Sequence, residues 1–232
     1  MEGGVKNKFP NAVLVIDRFH VAKLALDALQ HIRVKLRWEE MDVENNSLSA
    51  IKSLKKELEK ALKVCKDPEE REELILNFKN NIVQYQPIEF ENGDSPKQLL
   101  ARSRYILTKK KDQWTQNQKE RAAILFTQYP SLETAYHEVL AFRNIYEGKN
   151  MREAKSQFEA WIKKVQDNEM KAFYTVANTV NNNLNNIVNF FINKNTNANA
   201  ESFNSKIKLF RANLRGVTDT SFFLFRLHKL FA

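Results

Sequence analysis

Two acidic residues and one basic helical segment hold most of the chemistry this sequence offers. Asp17 follows the β-branched, apolar run Ala12-Val13-Leu14-Val15-Ile16 and precedes a helical pattern. In open α/β sheets, ligands and metals collect at the carboxyl ends of strands. An Asp at such a junction also caps the helix that follows, by accepting a backbone N–H that has no helical partner. The local pattern leaves both roles open to Asp17.

Glu201 is the second acid. Near the start of a helix, Phe203, Ile207, Phe210 and Leu214 share one face, and Glu201, Asn204, Ser205, Lys208, Arg211 and Arg215 share another. One glutamate thus heads a stripe of groups able to donate to phosphate. Metal-dependent phosphoryl transfer needs carboxylates for the cation and donors for the phosphates in one place. An exposed amphipathic helix in which Glu201 pairs with Ser205 or Lys208 gives the same spacing, a pairing that contributes roughly 0.2–0.5 kcal/mol. Periodicity does not choose between the two.

The elements that must position these acids are mainly helical. Leu, Lys, Glu, Ala and Asn dominate, Gly and Pro number only 5 each in 232 residues, and 43% hydrophobic content supports a real core. Ala12–Ile16 reads as a strand buried on both faces, and its backbone needs neighbours to pair with. Val21, Leu24, Ala25, Ala28, Leu29, Ile32 and Leu36 predict a helix, and Leu48 to Cys65 predict a second. Asp67-Pro68-Glu69-Glu70 opens a helix running to about Gln84, Ser95-Pro96 opens the next, and Thr115 to Gln118 forms a capping box for another. Further helices are expected over 131–147, 151–165 and 170–192, with Phe158, Trp161 and Phe173 in the core. After the Asn-rich stretch 193–199, helices follow over about 200–215 and 219–230, separated by Gly216.

The formal net charge of +9 favours a polyanionic partner, because clustered Lys and Arg displace counterions from phosphates. Cys65 is the single cysteine, so no intrachain disulfide or cysteine-built zinc site exists, and its expected role is to close a helix. No apolar run is long enough for a membrane span or a signal peptide, which predicts a cytoplasmic, nucleoid-associated protein.

Val15-Ile16-Asp17-Arg18-Phe19-His20-Val21 and Asn199-Ala200-Glu201-Ser202-Phe203-Asn204-Ser205-Lys206-Ile207-Lys208 are joined by Arg211, Arg215-Gly216 and Phe222-Phe223-Leu224-Phe225-Arg226-Leu227. Together these segments resemble the DDE transposases of bacterial insertion sequences, nearest to the ISL3 type. Arg104-Tyr105-Ile106-Leu107, Trp114-Thr115, Gln118, Tyr129-Pro130-Ser131-Leu132, Ala135-Tyr136, Phe142-Arg143, Ala154 and Trp161 resemble the helical insertion of that group. The resemblance covers nearly the whole chain.

It implies a mainly α chain, the C-terminal remnant of an RNase H-like α/β catalytic domain with one strand, Ala12–Ile16, and a large all-helical insertion. Residues 1–36 would supply a strand and helix of the core, 37–195 the insertion, and 196–232 the C-terminal helices with the last acid. Asp17 and Glu201 would be catalytic and metal-ligating, sharing two Mg²⁺ (or Mn²⁺) ions in the complete enzyme. Asn204, Lys206, Lys208, Arg211, Arg215 and Arg226 would contact DNA, with Arg18 and His20 near the site. A His one turn into a helix is as often a packing or capping residue as a catalytic one, so His20 is not assigned as a general base.

The family takes a further Asp from the first strand, and before Asp17 the only acid is Glu2, outside any predicted strand. The expectation is therefore an incomplete chain that does not transpose alone. Its expected partners are DNA, the missing N-terminal part and possible further copies of itself. A non-enzymatic helical module that binds DNA through its basic C-terminal helices, or inhibits an intact transposase, fits the same composition. So does a structural protein of amphipathic helices, which predicts no DNA binding.

Overall fold

A computed structural model describes residues 13–81, 86, 88–194, 198–214, 216 and 218–231. Its organising element is α1, Arg18–Val64, a helix of 47 residues. The sequence pattern predicts two helices here, and the structure corrects this to one. No Gly or Pro interrupts residues 18–64, so nothing in the backbone stops propagation. Cys65 closes the helix as expected, its N–H donating to the Ala61 carbonyl at 2.9 Å.

The expected strand is a second correction. No residue among 13–17 is in a strand, and Ala12 lies outside the described residues. The segment takes its backbone partners from helical neighbours instead: the Ile16 N–H donates to the Asn186 carbonyl at 3.1 Å, and the Asn189 side-chain amide donates to the Leu14 carbonyl at 2.8 Å. Val15 and Ile16 still pack on the core, whereas Val13 and Leu14 are exposed. The apolar run is read correctly as adhesive and wrongly as a ladder, since no described strand lies beside it.

Helix α2 covers Pro68–Asn81, and α3 covers Pro96–Arg102. Two single 3₁₀ turns, Ile106–Thr108 and Lys111–Gln113, lead to α4, Gln116–Gln128, and α5, Pro130–Ile145. The Thr115 capping box is present: Thr115 Oγ accepts from the Gln118 N–H at 3.4 Å, and Gln118 Oε1 accepts from the Thr115 N–H at 3.2 Å. Helix α6, Met151–Asp167, follows. The helix expected over 170–192 is divided into a 3₁₀ turn at Lys171–Phe173, α7 (Tyr174–Asn182), α8 (Leu184–Val188) and α9 (Phe190–Asn193). Asn183 and Asn189 mark the divisions. The Asn183 side chain donates to the Thr179 carbonyl at 2.8 Å, the local bonding by which Asn competes with the helical ladder. Last come α10, Ala198–Asn213, and α11, Thr220–Phe231.

The core is aromatic. Phe142 meets Phe158 and Trp161 edge to face, and Trp114, Phe126 and Tyr136 form a second cluster. Phe158, Trp161 and Phe173 are buried as the sequence predicts. Both buried indoles find acceptors, Trp114 at the Ile106 carbonyl and Trp161 at the Glu138 carbonyl. Arg33 is buried on α1 and donates to the Leu100 carbonyl at 2.8 Å, which pins α1 to α3. Tyr129 reaches Glu40 at 2.8 Å, and Lys97 reaches Glu44. Helix α1 is thus the rail along which the following helices dock.

Candidate active site and nucleic-acid interface

Asp17 is the N-cap of α1, with extended backbone at φ −62° and ψ 130°, and its Oδ1 accepts from the Phe19 N–H at 2.7 Å. The capping role is therefore real. Only 8% of Asp17 is exposed, unusual burial for a carboxylate. One turn along, His20 Nδ1 stands 3.7 Å from Asp17 Oδ1. The other ring nitrogen, Nε2, stands 3.9 Å from Glu201 Oε1. Glu201 occupies the first turn of α10, where a negative charge suits the helix dipole. One imidazole therefore touches both acids that the spacing singles out, although nearly the whole chain separates them.

The Arg18 guanidinium lies over the Phe190 ring, 5.7 Å from its centre. Tyr146, at the C-terminal end of α5, is 4% exposed, and its hydroxyl has no hydrogen-bond partner among the described residues. Burial pushes the Tyr146 phenol up, the Asp17 carboxylate adds to this, and Arg18 opposes it. Asp17 and Tyr146 thus sense one another electrostatically.

Asn204, Lys206, Lys208 and Arg211 all lie exposed on α10. Phe210 stacks on Phe223 of α11 with ring centroids 5.8 Å apart, so part of the predicted apolar face holds the two C-terminal helices together. Arg226 is exposed on α11, 6.0 Å over the Phe222 ring. Arg215 lies outside the described residues. The Ser205 hydroxyl donates to the Glu201 backbone carbonyl at 2.8 Å, while the Glu201 carboxylate points to His20.

Residues 2–227 match the family of DDE transposases of the ISL3 type. The chain belongs to that transposase family. No curated protein and no solved structure matches it.

Membership of the transposase family implies DNA transposition and a DNA partner. DDE transposases use divalent cations, and the donor chemistry at Asp17 and Glu201 suits a hard cation, which prefers carboxylate oxygens. Among the described residues, no group of three or more His, Cys, Asp or Glu is arranged to hold a metal ion. No described helix is long and apolar enough to cross a membrane.

Sequence reasoning placed His20 near the site and missed its position between the acids. Spacing carries a partial signal, since positions 17 and 20 share a face at the start of a helix. Tyr146 had no such signal. Its relation to Asp17 arises from the packing of α5 against α1, which no local pattern encodes.

Proposed function

We propose that this transposase chain carries two carboxylates of a metal-dependent DNA nicking and strand-transfer centre, Asp17 and Glu201, and that α10 and α11 hold the DNA beside them. The observation that supports this reading best is the contact of His20 with both acids. The Phe19 N–H fixes the orientation of the Asp17 carboxylate, and burial keeps water from competing for it. Glu201 sits on the helix that also presents Asn204, Lys206, Lys208 and Arg211, so acid and phosphate donors move as one rigid element. Arg226 adds a further cation from α11.

Mg²⁺ bound by Asp17 and Glu201 would activate water or a 3′-hydroxyl and stabilise the leaving oxygen. The residues of the chain itself orient the phosphodiester and offset its charge. In this reading, residues 1–36 and 196–232 belong to an RNase H-like core and 37–195 to a helical insertion. Two carboxylates compensate the developing charge less well than three, so the chain alone is inactive and a further acid completes the site.

The test replaces Asp17 and Glu201 by Ala, singly and together, in an intact transposase containing this chain, and counts transposition events. Each single change is expected to remove transposition, by about 10²-fold or more. Unchanged transposition in the double variant would overturn the reading and leave a basic helical DNA-binding module.

A further inference from the structure

Beside Asp17 the surface opens into a groove of about 650 Å³. Arg18, Phe19 and Lys23 of α1 form one side, Arg104, Tyr105 and Lys110 form the other, and Arg143 of α5 and Tyr146 just after it complete the lining. Five of these side chains are cationic, against Asp27 and Glu147. Lys23 is already paired with Asp27 at 2.5 Å, and Arg143 is engaged with the Thr108 carbonyl at 3.0 Å. Arg104 and Lys110 have no comparable acidic partner among the described residues.

Two large rings stand in this cationic setting. Phe19 is 64% and Tyr105 66% exposed, and the Arg104 guanidinium lies 5.5 Å from the centre of the Tyr105 ring. Exposed rings beside cations are what single-stranded nucleic acid requires, since unpaired bases offer faces for stacking and a duplex does not. The groove also meets the acid site: Arg18 and Phe19 directly follow Asp17, and Tyr146 lies close enough to sense the Asp17 charge. Its lining includes no residue of α10 or α11.

We propose that this groove receives a single DNA strand, the unpaired nucleotides adjoining the phosphate held at Asp17, with bases stacking on Phe19 and Tyr105 and phosphates meeting Arg104 and Lys110. The inference rests on the reading of Asp17 and Glu201 as a strand-transfer centre. It adds a second DNA contact, shared between the start of α1 and the segment around Arg104, Tyr105 and Lys110, and selective for unpaired DNA.

Fluorescence anisotropy of the full chain with a labelled single strand of about 12 nucleotides, and with the matching duplex, tests this. Tyr105→Ala is expected to weaken single-strand binding about tenfold, with Tyr105→Phe within about twofold of wild type, because the ring does the stacking. The double variant Arg104→Ala/Lys110→Ala should lower the salt slope for single strands by about 1.4, two phosphate contacts' worth. Duplex binding should fall instead with Lys208→Ala/Arg211→Ala. All five substituted positions are exposed or half-exposed, and circular dichroism melts check that folding is kept. Groove variants that bind single strands as wild type does, with an unchanged slope, overturn the groove alone when the α10 variant still loses duplex affinity. A wild-type chain that binds neither DNA overturns both the groove and the proposed DNA interface.

Discussion

His20 joins Asp17 to Glu201, its Nδ1 3.7 Å from the first carboxylate and its Nε2 3.9 Å from the second. Any ion shared by the two carboxylates comes within a few ångströms of that ring. Mn²⁺ is paramagnetic and takes the same oxygen ligands as Mg²⁺. Titrating Mn²⁺ into the chain should therefore broaden the His20 imidazole resonances first. His137 is the internal control, since it stands 3.6 Å from a single carboxylate, Glu133. Asp17→Asn and Glu201→Gln should each abolish the preference for His20. Equal broadening of His20 and His137 at every Mn²⁺ concentration would show that the two acids share no ion.

Asp94 carries a buried charge within the helical region. It has no exposed surface, and it accepts from Arg121 at 2.8 Å, from Asn92 at 2.9 Å and from Arg102. Burial raises its pKa, but the hydrogen bonds and charges of Arg121 and Arg102 outweigh this, leaving the carboxyl below its usual range. A depressed carboxylate contributes stability that is present above its unfolded pKa of about 3.9 and is lost as pH falls through the folded value. Asp94→Asn should cost about 2–3 kcal/mol at pH 7, toward the low side for a broken buried pair because Arg102 is half exposed. Thermal melts at neutral pH should separate variant from wild type by roughly 4–12 °C. The gap should narrow as pH falls below the unfolded value of about 3.9 and close once the folded carboxyl is protonated. A gap of the same size in acid would mean that the Asp94 charge is not what ties α3 to α4.

Much of the helical region is legible from local signals. Pro68 and Pro96 at first helical positions, the Thr115 capping box and the apolar spacing of α5 and α6 each agree with the structure. Failures fall where local and long-range terms conflict. Ala12–Ile16 has strand composition, but the partners of Leu14 and Ile16 are Asn189 and Asn186, far along the chain. Asn183 and Asn189 divide an otherwise continuous apolar stripe, because their side chains bond locally or to distant backbone. At the site, Asp17 and Glu201 could be singled out by type and position. Their meeting at His20 depends on the tertiary arrangement of α10 and α1. No local pattern sets Tyr105 and Phe19 apart as exposed rings, and the structure leaves both in solvent.

Tyr146 offers a test of how tightly the packing beside Asp17 is set. Its ring meets Phe158 and Phe190 edge to face at 5.3 and 5.7 Å and stacks on Phe191 at 6.0 Å, while its hydroxyl is buried with no partner among the described residues. Burial, then Asp17, hold the phenol protonated, so no charge is at stake near neutrality. An unsatisfied buried hydroxyl is destabilising, and removing it without changing the ring relieves that cost. Tyr146→Phe should therefore be neutral or stabilising by up to about 1 kcal/mol, raising Tm by roughly 2–4 °C. Tyr146→Ala removes the ring as well and should cost about 3–5 kcal/mol. Differential scanning calorimetry of both variants separates ring from hydroxyl. A Phe variant that melts several degrees below wild type would show that the hydroxyl has a structural partner, and that the surroundings of Asp17 are more polar than the packing of Tyr146 indicates.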